Sequence, residues 1–531
     1  MAQVTIAPFE ATALDAIPKI AGTARGTFRT HKTKNLAWRK VQLRKLYWAL
    51  HDYEPQLLAA LQEDLRKSAF EALLSEVGWL KKDCMFMLDH LDAWAKDEKL
   101  RAPHVPAMYS IMNFRIRKEP VGTVLIIGPY NYPVQLLLAP LVGAIGAGCT
   151  AVLKPSELTP RCAMVIKDMI ESRLDRDAFA VVNGAVPETN ALMGEKWDKI
   201  FFTGSAGVGS IIARKAAETL TPVVLELGGK NPAFITKSCP NLALAARRLM
   251  WGKTMNAGQI CMSQNYVLID KDLVETFVVH LKQAYKDMFP RGAKQSPDLA
   301  RIVNLRHFHR LKNMLDNTRG RIVMGGEVDE SELYIEPTAV LVSSVDDPMM
   351  AEESFGPIFS IYPVHSLDEA LNVAHLVHRT PLSLMAFGSK KENERILNEM
   401  TSGGATLNDA YFHGAVNTVP FGGVGDSGWG AYRGKASFDC FTHFRTVAET
   451  PGWADPLLAV RYMPFDMGRL RLLGRLTDKK PDFDRNGRVV KGLGYWVALV
   501  LGLGGKGVKG ALLRWAVVAL AHYLYKNRVG K

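Results

Sequence analysis

The sequence predicts a doubly wound α/β protein, in which open parallel sheets are covered by helices on both faces. Short apolar runs alternate with amphipathic stretches from residue 121 to residue 227. A glycine-rich segment, 204–209, follows one of those runs and precedes a helical pattern. A second block of the same texture extends from about residue 231 to residue 408. Strands that alternate with helices in this way are typical of parallel sheets, whose ligands bind at the carboxyl ends of the strands.

The N-terminal part of the chain is predicted to be helical. Leucines recur at helical spacing between Ala37 and Leu65, and Pro55 marks the start of a second helix because proline is well tolerated in a first turn. We expect both helices to be amphipathic and to pack through their apolar sides.

Five strands and three helices alternate in the first α/β block. The predicted strands are Val121–Ile127, Thr150–Lys154, Ala178–Val182, Lys199–Phe202 and Val223–Leu227, and the predicted helices are Pro133–Ala147, Pro160–Ser172 and Gly207–Leu220. We assign residues 1–226 to a first domain and residues 227–408 to a second. Residues 409–450 are expected to return to the first domain and to end in an oligomerisation strand, and residues 451–531 form a basic and apolar tail.

The charge of the chain is concentrated in that tail. The 531 residues, of which 48% are hydrophobic and 22% charged, suffice for two or three domains with large cores. The formal net charge is +13, but residues 451–531 hold 15 lysines and arginines against 5 aspartates, so that +10 belongs to the tail and +3 to residues 1–450. This distribution argues against a nucleic-acid site in the main body of the protein.

The six cysteines indicate free thiols rather than disulfides or metal ligands. They are scattered at positions 84, 149, 162, 239, 261 and 440, without metal-ligand spacing, so we predict no metal site and a reducing compartment. The N-terminus, Met-Ala-Gln-Val-Thr-Ile, lacks a basic region followed by an apolar stretch, so no secretory signal is expected.

Two side chains predict covalent chemistry. Cys261 ends the run Met255-Asn256-Ala257-Gly258-Gln259-Ile260-Cys261, whose small and polar residues favour a reactive thiol, whereas the other five cysteines are expected to be inert. Glu226 lies between Leu225 and Leu227, so partial desolvation should raise its pKa toward the working pH and suit it to be a general base. A strand carboxylate in a salt bridge is the structural alternative for Glu226.

A third motif, Gly128-Pro129-Tyr130-Asn131-Tyr132-Pro133, precedes these two. In this order the three motifs resemble the aldehyde dehydrogenase superfamily over roughly residues 25–450, and within it the class 3 and fatty-aldehyde branch. The resemblance implies that Cys261 attacks an aldehyde carbonyl and that the Asn131 amide and the Cys261 backbone N–H stabilise the oxyanion. Transfer of hydride to a nicotinamide would leave a thioester, which water activated by Glu226 would hydrolyse. Without the family, Asn131 could simply cap the helix after Pro133.

The glycine-rich segment Phe201–Gly209 follows a strand and opens a helix, which suits either a pyrophosphate site or a plain tight turn. It resembles the Gly-Ser-x-x-x-Gly variant of the family, which implies that residues 1–226 bind NAD. The residues that the resemblance assigns to the cofactor are Lys154, Glu157, Gly204, Ser205, Val208, Gly209, Leu227, Glu353 and Phe355.

Lys154 and Glu157 are expected to bind the adenosine ribose, where a carboxylate repels a 2′-phosphate and favours NAD, although class 3 members often tolerate NADP. Glu353 and Phe355 resemble the pair that holds the nicotinamide ribose and ring. The structural alternatives are a surface ion pair for Lys154 and Glu157, a turn residue for Glu353 and a core residue for Phe355.

Several positions depart from the family pattern and leave the substrate open. Tyr130 stands where many relatives have tryptophan, and Arg433 stands where class 3 members often have histidine. Ile260 and Met262 are also unusual neighbours of the thiol. His413 lies in a segment that resembles the lining of the substrate tunnel, but a buried structural histidine is the favoured interpretation.

The tail contains two apolar stretches, Tyr495–Gly505 and Ala511–Tyr525. Each is shorter than the roughly 20 residues of a spanning helix, so we expect a hairpin or an interfacial helix on the cytoplasmic side of a membrane. The alternative is that these stretches fold over the mouth of the active site or the dimer partner. Residues Phe444–Thr450 resemble the strand that class 3 enzymes use in dimer contacts, which implies a homodimer.

The expected function is NAD(P)-dependent oxidation of a hydrophobic, long-chain aldehyde to the acid. Fatty aldehydes are the first expectation, apocarotenals or other isoprenoid aldehydes the second, and aromatic aldehydes the third. Intact Cys261, Glu226 and Asn131 argue against a non-catalytic binding protein on the same fold. Glu226 also argues against acyl transfer to CoA, because activated water would consume the thioester.

Overall fold

The computed structural model describes residues 5–101, 104–477, 481–490, 492, 496, 515, 516, 518 and 519. The helices are α1 Ile17–Arg29, α2 Leu36–Asp52, α3 Glu54–Leu65, α4 Ala69–Ala72, α5 Gly78–Trp94, α6 Gln135–Ala147, α7 Pro160–Arg173, α8 Val186–Gly194, α9 Ala206–Ala217, α10 Leu242–Thr254, α11 Val274–Met288, α12 Leu305–Asn317, α13 Pro348–Ala351, α14 Leu367–Val377, α15 Lys390–Glu399, α16 Lys435–Cys440 and α17 Met467–Thr477. The strands are β1 Glu98–Lys99, β2 Arg115–Pro120, β3 Thr123–Ile127, β4 Thr150–Lys154, β5 Phe179–Val181, β6 Lys199–Thr203, β7 Val223–Glu226, β8 Asn231–Ile235, β9 Gln264–Asp270, β10 Arg321–Met324, β11 Val328–Asp329, β12 Tyr334–Ile335, β13 Thr338–Leu341, β14 Ile358–Val364, β15 Ser383–Phe387, β16 Gly404–Leu407, β17 Gly428–Trp429 and β18 Thr442–Val447.

The described residues fall into two units. Residues 5–98 and 115–447 form the larger one, which holds all the predicted catalytic and cofactor residues. Residues 99–114 and the described residues from 448 onward form the smaller one.

The first sheet has the strand order β17-β7-β6-β3-β4-β5. Strands β7, β6, β3, β4 and β5 are parallel, and the short edge strand β17 pairs antiparallel with β7, with Gly428 opposite Glu226. The chain runs outward from β3 through β4 to β5 and then crosses back to β6 on the other side of β3. This reversal between β3 and β6 is the topological switch point at which doubly wound sheets bind ligands.

Helices cover both faces of this sheet, as the alternation of apolar residues predicts. Val124 and Ile126 of β3 pack into a core with α2, α3, α5, α6 and α7, while Leu125 and Ile127 point to the opposite face and pack with α1, α8 and α9. Helix α6 is buried along its whole length, so it lies between the sheet and the outer helices rather than at the surface.

The second sheet has the order β10-β13-β14-β9-β8-β15-β16 and is parallel except for β10. Helices α10 and α11 pack on one face, and α12, α14 and α15 pack on the other. The sheet extends from Asn231 to Leu407, in agreement with the second block read from the sequence.

The doubly wound α/β class is confirmed, and the local differences have physical causes. The first predicted strand begins at Thr123 rather than Val121, because Gly122 (φ 142°) breaks the extended run. Helix α9 ends at Ala217 because Leu220 adopts a left-handed conformation (φ 53°). The antiparallel pair of β2 with β18 was not foreseen as a pair, although β18 overlaps the strand expected at Phe444–Thr450.

The predicted apolar stretches of the tail, 495–505 and 511–525, lie outside the described residues apart from positions 496, 515, 516, 518 and 519. Helix α17 belongs to the smaller unit. Within the part of the chain that the structure describes, no helix combines the length and the hydropathy needed to cross a bilayer.

Candidate active site

The carboxyl edge of the first sheet brings four of the sequence motifs together. Asn131 follows β3, the Lys154 motif ends β4, the glycine-rich turn follows β6, and Glu226 ends β7. In a parallel sheet these strand ends share one edge, and the switch between β3 and β6 lies among them. The topology therefore places side chains that are far apart in the sequence around one crevice.

The glycine-rich turn leads directly into the N-terminus of α9. Ser205 is the N-cap and accepts a hydrogen bond from the Val208 N–H (3.5 Å), and residues 205–208 are exposed. A Cβ at Gly204 would lie 2.5 Å from the Phe202 ring, and a Cβ at Gly209 would lie 2.7 Å from Leu227 Cδ2. The exposed backbone amides and close packing suit a pyrophosphate on the helix N-terminus.

Lys154 and Glu157 form an ion pair at the end of β4. Lys154 is 4% exposed, and its Nζ donates to Pro155 O (2.9 Å) and to Glu157 Oε2 (3.2 Å). Burial lowers the pKa of Lys154. The ion-pair and ribose-binding interpretations are compatible, because the pair lies at the edge where a ligand would bind.

The loop that carries Cys261 is held in an unusual backbone conformation. Asn256 (φ 49°), Ala257 (φ 49°) and Gly258 (φ 70°) are all left-handed, and a Cβ on Gly258 would lie 2.2 Å from a backbone oxygen. Left-handed conformations are costly for residues other than glycine, so tertiary contacts must maintain them.

Two asparagines supply such contacts. The Asn231 amide donates to Cys261 O (2.7 Å) and to Ser263 O (2.9 Å). The Asn131 amide donates to Gln259 O (3.0 Å), two residues before the thiol. Asn131 therefore lies beside the loop that carries Cys261. It does not cap α6, so the alternative that Asn131 is simply a helix cap is excluded.

Glu226 is a buried carboxyl without the salt bridge that the structural alternative requires. It is 3% exposed, and neither of its oxygens has a hydrogen-bond partner among the described residues. Desolvation raises its pKa well above the usual range, and the Arg433 charge opposes this shift. A desolvated acid of this kind can exchange protons near the working pH.

The thiol of Cys261 lies in an electronegative environment. Burial, followed by the carboxylates of Glu353 and Glu226, raises its pKa to about 12, while the Arg433 guanidinium lowers it. The thiolate, which is the reactive form of a cysteine, is therefore favoured by neutralising either carboxylate and by retaining the arginine.

The Glu353–Phe355 segment is anchored on the opposite side of the crevice. Arg310 Nη1 donates to Glu353 O (3.0 Å), and the buried Lys253 Nζ donates to Ser354 Oγ (3.0 Å). Phe355 is left-handed (φ 44°), and its ring meets that of Tyr130 edge-on at 5.9 Å.

The Glu353 side chain lies against the backbone that follows Glu226, since a Cβ on Gly228 would lie 2.1 Å from Glu353 Oε2. Burial raises the pKa of Glu353 to about 7. Lys253 and Arg310 could not be recognised from the sequence, because they act through contacts with residues 101 and 43 positions away in the chain.

His413 and Arg433 lie near the thiol side of the crevice. His413 is hydrogen bonded through Nδ1 to Thr406 Oγ1 (2.7 Å), and burial lowers its pKa to about 4, as expected of a neutral structural histidine. Arg433 is 5% exposed, with its guanidinium 4.1 Å from the Phe421 ring centroid and 5.0 Å from that of Trp79. Its charge acts on both Cys261 and Glu226.

These residues fit a nicotinamide dinucleotide. The glycines leave no room for side chains, the α9 amides are exposed, and Glu353 Oε1 is buried without a hydrogen-bond partner among the described residues. The carboxylates suit ribose hydroxyls, and the helix start suits a pyrophosphate.

Comparisons with known proteins agree with this geometry. The aldehyde dehydrogenase family model matches residues 1–447. The beta-apo-4'-carotenal oxygenase of Neurospora crassa is 73% identical over 98% of this chain and 98% of its own length. Mouse aldehyde dehydrogenase family 3 member A2 is 42% identical over 83% of this chain and 90% of its own length.

Among solved structures, the substrate-bound state of Staphylococcus aureus AldH is 38% identical, has a TM-score of 0.82, and aligns with 87% of this chain and 99% of that one. Family structures carry NAD in one case and NADP in another. The sequence, the fold and the crevice lead to one assignment: the chain is an enzyme of the aldehyde dehydrogenase family.

Proposed function

We propose that this enzyme oxidises long, conjugated isoprenoid aldehydes of the apocarotenal class to carboxylic acids, with NAD as the preferred cofactor. The observation that carries the proposal is the 73% identity, over nearly the full length of both chains, to a protein named beta-apo-4'-carotenal oxygenase. Identity of this extent includes the tail, so it concerns the whole chain and not the catalytic body alone.

In the proposed reaction Cys261 attacks the aldehyde carbonyl and forms a thiohemiacetal. The Asn131 amide uses one N–H for Gln259 O (3.0 Å), so its second N–H and the Cys261 backbone N–H can stabilise the oxyanion. The nicotinamide cofactor, when bound, supplies the acceptor for hydride. The remaining thioester is hydrolysed by water that gives its proton to the carboxylate of Glu226.

The cofactor would be held by residues at the carboxyl edge of the first sheet and by the anchored segment of the second. The roles proposed from the resemblance fall on Lys154, Glu157, Gly204, Ser205, Val208, Gly209, Leu227, Glu353 and Phe355. The carboxylate of Glu157, bound to a buried lysine, supports NAD over NADP because it would repel a 2′-phosphate.

Fatty aldehydes are the second candidate. The feature that favours them is the apolar and basic tail, which suits any substrate that partitions into lipid. In the smaller unit Trp453 (68% exposed), Met463 (79%) and Phe465 (68%) present large apolar side chains to solvent. We therefore propose membrane association on the cytoplasmic side and, from the β18 strand, a homodimer.

The deciding experiment compares substrates of matched length on the purified full-length enzyme. NADH formation is followed with an apocarotenal, a saturated fatty aldehyde of the same chain length, a short aliphatic aldehyde and an aromatic aldehyde. We expect kcat/KM to be greatest for the apocarotenal. A preference for the saturated aldehyde would support the second candidate, and a preference for short or aromatic aldehydes would contradict both.

Membrane association is tested separately by flotation of the full-length protein with neutral and anionic phospholipid vesicles. Binding that requires anionic lipid and weakens with salt is expected, because the net charge of residues 451–531 is +10. If the protein stays in the fraction without vesicles to the same extent with both lipid types, membrane association is contradicted.

A further inference from the structure

We propose that Lys67, Glu71 and Glu76 form a buried charged brace. It positions Asn131, the proposed oxyanion donor, and residues 255–261, which carry Cys261 and are called the nucleophile loop below. The inference rests on the proposed roles of Asn131 and Cys261. The three side chains do not contact the reacting atoms in this proposal and act through the backbone of these two motifs.

The brace is built around a short, irregular helical segment. Lys67 lies just before Ser68, the N-cap of α4, while Glu71 lies in α4 and Glu76 lies in the π turn Leu73–Val77 that follows it. The exposed fractions of the three side chains are 0%, 3% and 0%. π turns within helices often lie at functional sites, and three buried charges in ten residues are uncommon.

Lys67 and Glu76 fix the chain on both sides of Asn131. Lys67 Nζ is 2.6 Å from Glu76 Oε1, donates to Asn131 O (3.0 Å) and lies 4.0 Å from the Tyr132 ring centroid. Glu76 Oε2 accepts the N–H groups of Val134 (2.9 Å) and Gln135 (3.3 Å), which caps α6. The ion pair therefore holds the chain both at Asn131 and at the start of α6.

Glu71 lies close to the loop that carries Cys261. Burial raises its pKa to about 7, and the nearby backbone N–H of Asn256, the first of the three left-handed residues in that loop, opposes this shift. The Asn256 amide in turn donates to Asn131 O (2.8 Å) and to Gln259 O (3.1 Å). Asn131 O thus accepts one donor from the brace and one from the nucleophile loop, so the two motifs are tied to each other through it.

Stability alone is a weak reason to bury these charges. Replacing a buried ion pair with apolar residues is often neutral or stabilising, because desolvation offsets the Coulomb attraction. Catalysis, by contrast, depends on donors held close to the productive geometry. The brace contacts the backbone at Asn131 and, through Asn131 O, the loop that carries Cys261. These are the two segments that the proposed mechanism requires to be held in place.

A double-mutant cycle distinguishes positioning from a general structural role. Lys67→Met should lower kcat about tenfold or more, since loss of an oxyanion donor costs about 10²–10³-fold, while the KM for NAD stays unchanged. In an Asn131→Ala background, Lys67→Met should lower kcat by a clearly smaller factor than in the native enzyme, because only its effect through the Cys261 loop remains. If the kcat losses of the two single variants multiply fully in the double variant, the proposal is overturned. Native kcat in Asn131→Ala alone would refute the proposed role of Asn131 and remove this inference with it.

A second series keeps the test informative if Lys67→Met does not fold. Glu71→Leu removes the polar group beside the Asn256 N–H, whereas Glu71→Gln keeps a polar group of the same size, so kcat should fall more in Glu71→Leu. Ser75→Ala, on the same π turn, is the matched control and should keep native kinetics, because the Ser75 hydroxyl donates to the backbone oxygen of Glu71 (2.6 Å). Equal kcat in Glu71→Leu and Glu71→Gln, with equal unfolding temperatures, would overturn the proposal.

Discussion

Replacing Glu226 with glutamine should arrest the enzyme after a single turnover. The carboxyl is 3% exposed and has no hydrogen-bond partner among the described residues, so glutamine occupies the same space without breaking a contact. Glutamine cannot accept a proton from water, so the thioester on Cys261 should persist. Acylation and hydride transfer do not use this carboxyl in the proposed mechanism and should continue.

The magnitude of the loss should depend on pH. A positioned general base contributes about 10²–10⁴-fold. Desolvation raises the pKa of Glu226 well above its usual range, so the base ionises at a higher pH than an ordinary glutamate. Its ionised fraction rises about tenfold per pH unit below the pKa. The native steady-state rate should rise with pH, and the deficit of Glu226→Gln should be small in acid and grow toward alkaline pH.

Rapid mixing with a good aldehyde substrate and NAD measures both the initial fast phase of NADH formation and the steady-state rate that follows. Glu226→Gln should form close to one NADH per active site in a fast phase, and intact-protein mass spectrometry should show an acyl group that is absent from Cys261→Ser. Glu353→Gln, which removes the other carboxyl near the thiol, is the control and should not accumulate acyl-enzyme. A native steady-state rate in Glu226→Gln at alkaline pH, without acyl-enzyme, would refute the reasoning.

Three further outcomes are expected. Glu353→Gln should speed alkylation of Cys261 by iodoacetamide at a given pH, because it removes a carboxylate that raises the thiol pKa, and Arg433→Gln should slow it by removing the opposing charge. Gly258→Ala should lower the thermal unfolding temperature or kcat, because the left-handed conformation (φ 70°) and a backbone oxygen 2.2 Å from the new Cβ both oppose it; an unchanged variant would contradict the observed loop geometry. Glu157→Gln should raise the kcat/KM ratio of NADP to NAD, and an unchanged ratio would count against its place at the ribose.

Much of the cofactor half of the site could be predicted from local sequence. Thr150–Lys154 was predicted with the bounds that the structure shows, and the turn at 204–209 opens α9 as expected. Such segments are set by short apolar runs and by glycines whose neighbours are close in the chain. His413 was interpreted as a buried structural histidine, and the structure shows it partly buried and hydrogen bonded to Thr406.

The brace and the anchors of residues 353–355 could not be predicted in this way. Lys67 looks like an ordinary surface lysine in the sequence, yet its Nζ lies 3.0 Å from a carbonyl 64 residues away. Arg433 was noticed only as a departure from a family pattern, and its influence on Cys261 and Glu226 depends on packing between three rings.

By itself, the sequence determined the α/β class and most of the strands and helices of the first sheet, and its motifs predicted Cys261, Glu226 and Asn131 as site residues, because periodicity and short motifs are properties of neighbouring residues. Only the tertiary structure decided which charges are buried, which donors hold Asn131, and which groups raise or lower the pKa of the thiol. Desolvation and hydrogen bonding depend on what surrounds a group in space, and residues that lie far apart in the chain supply those surroundings here.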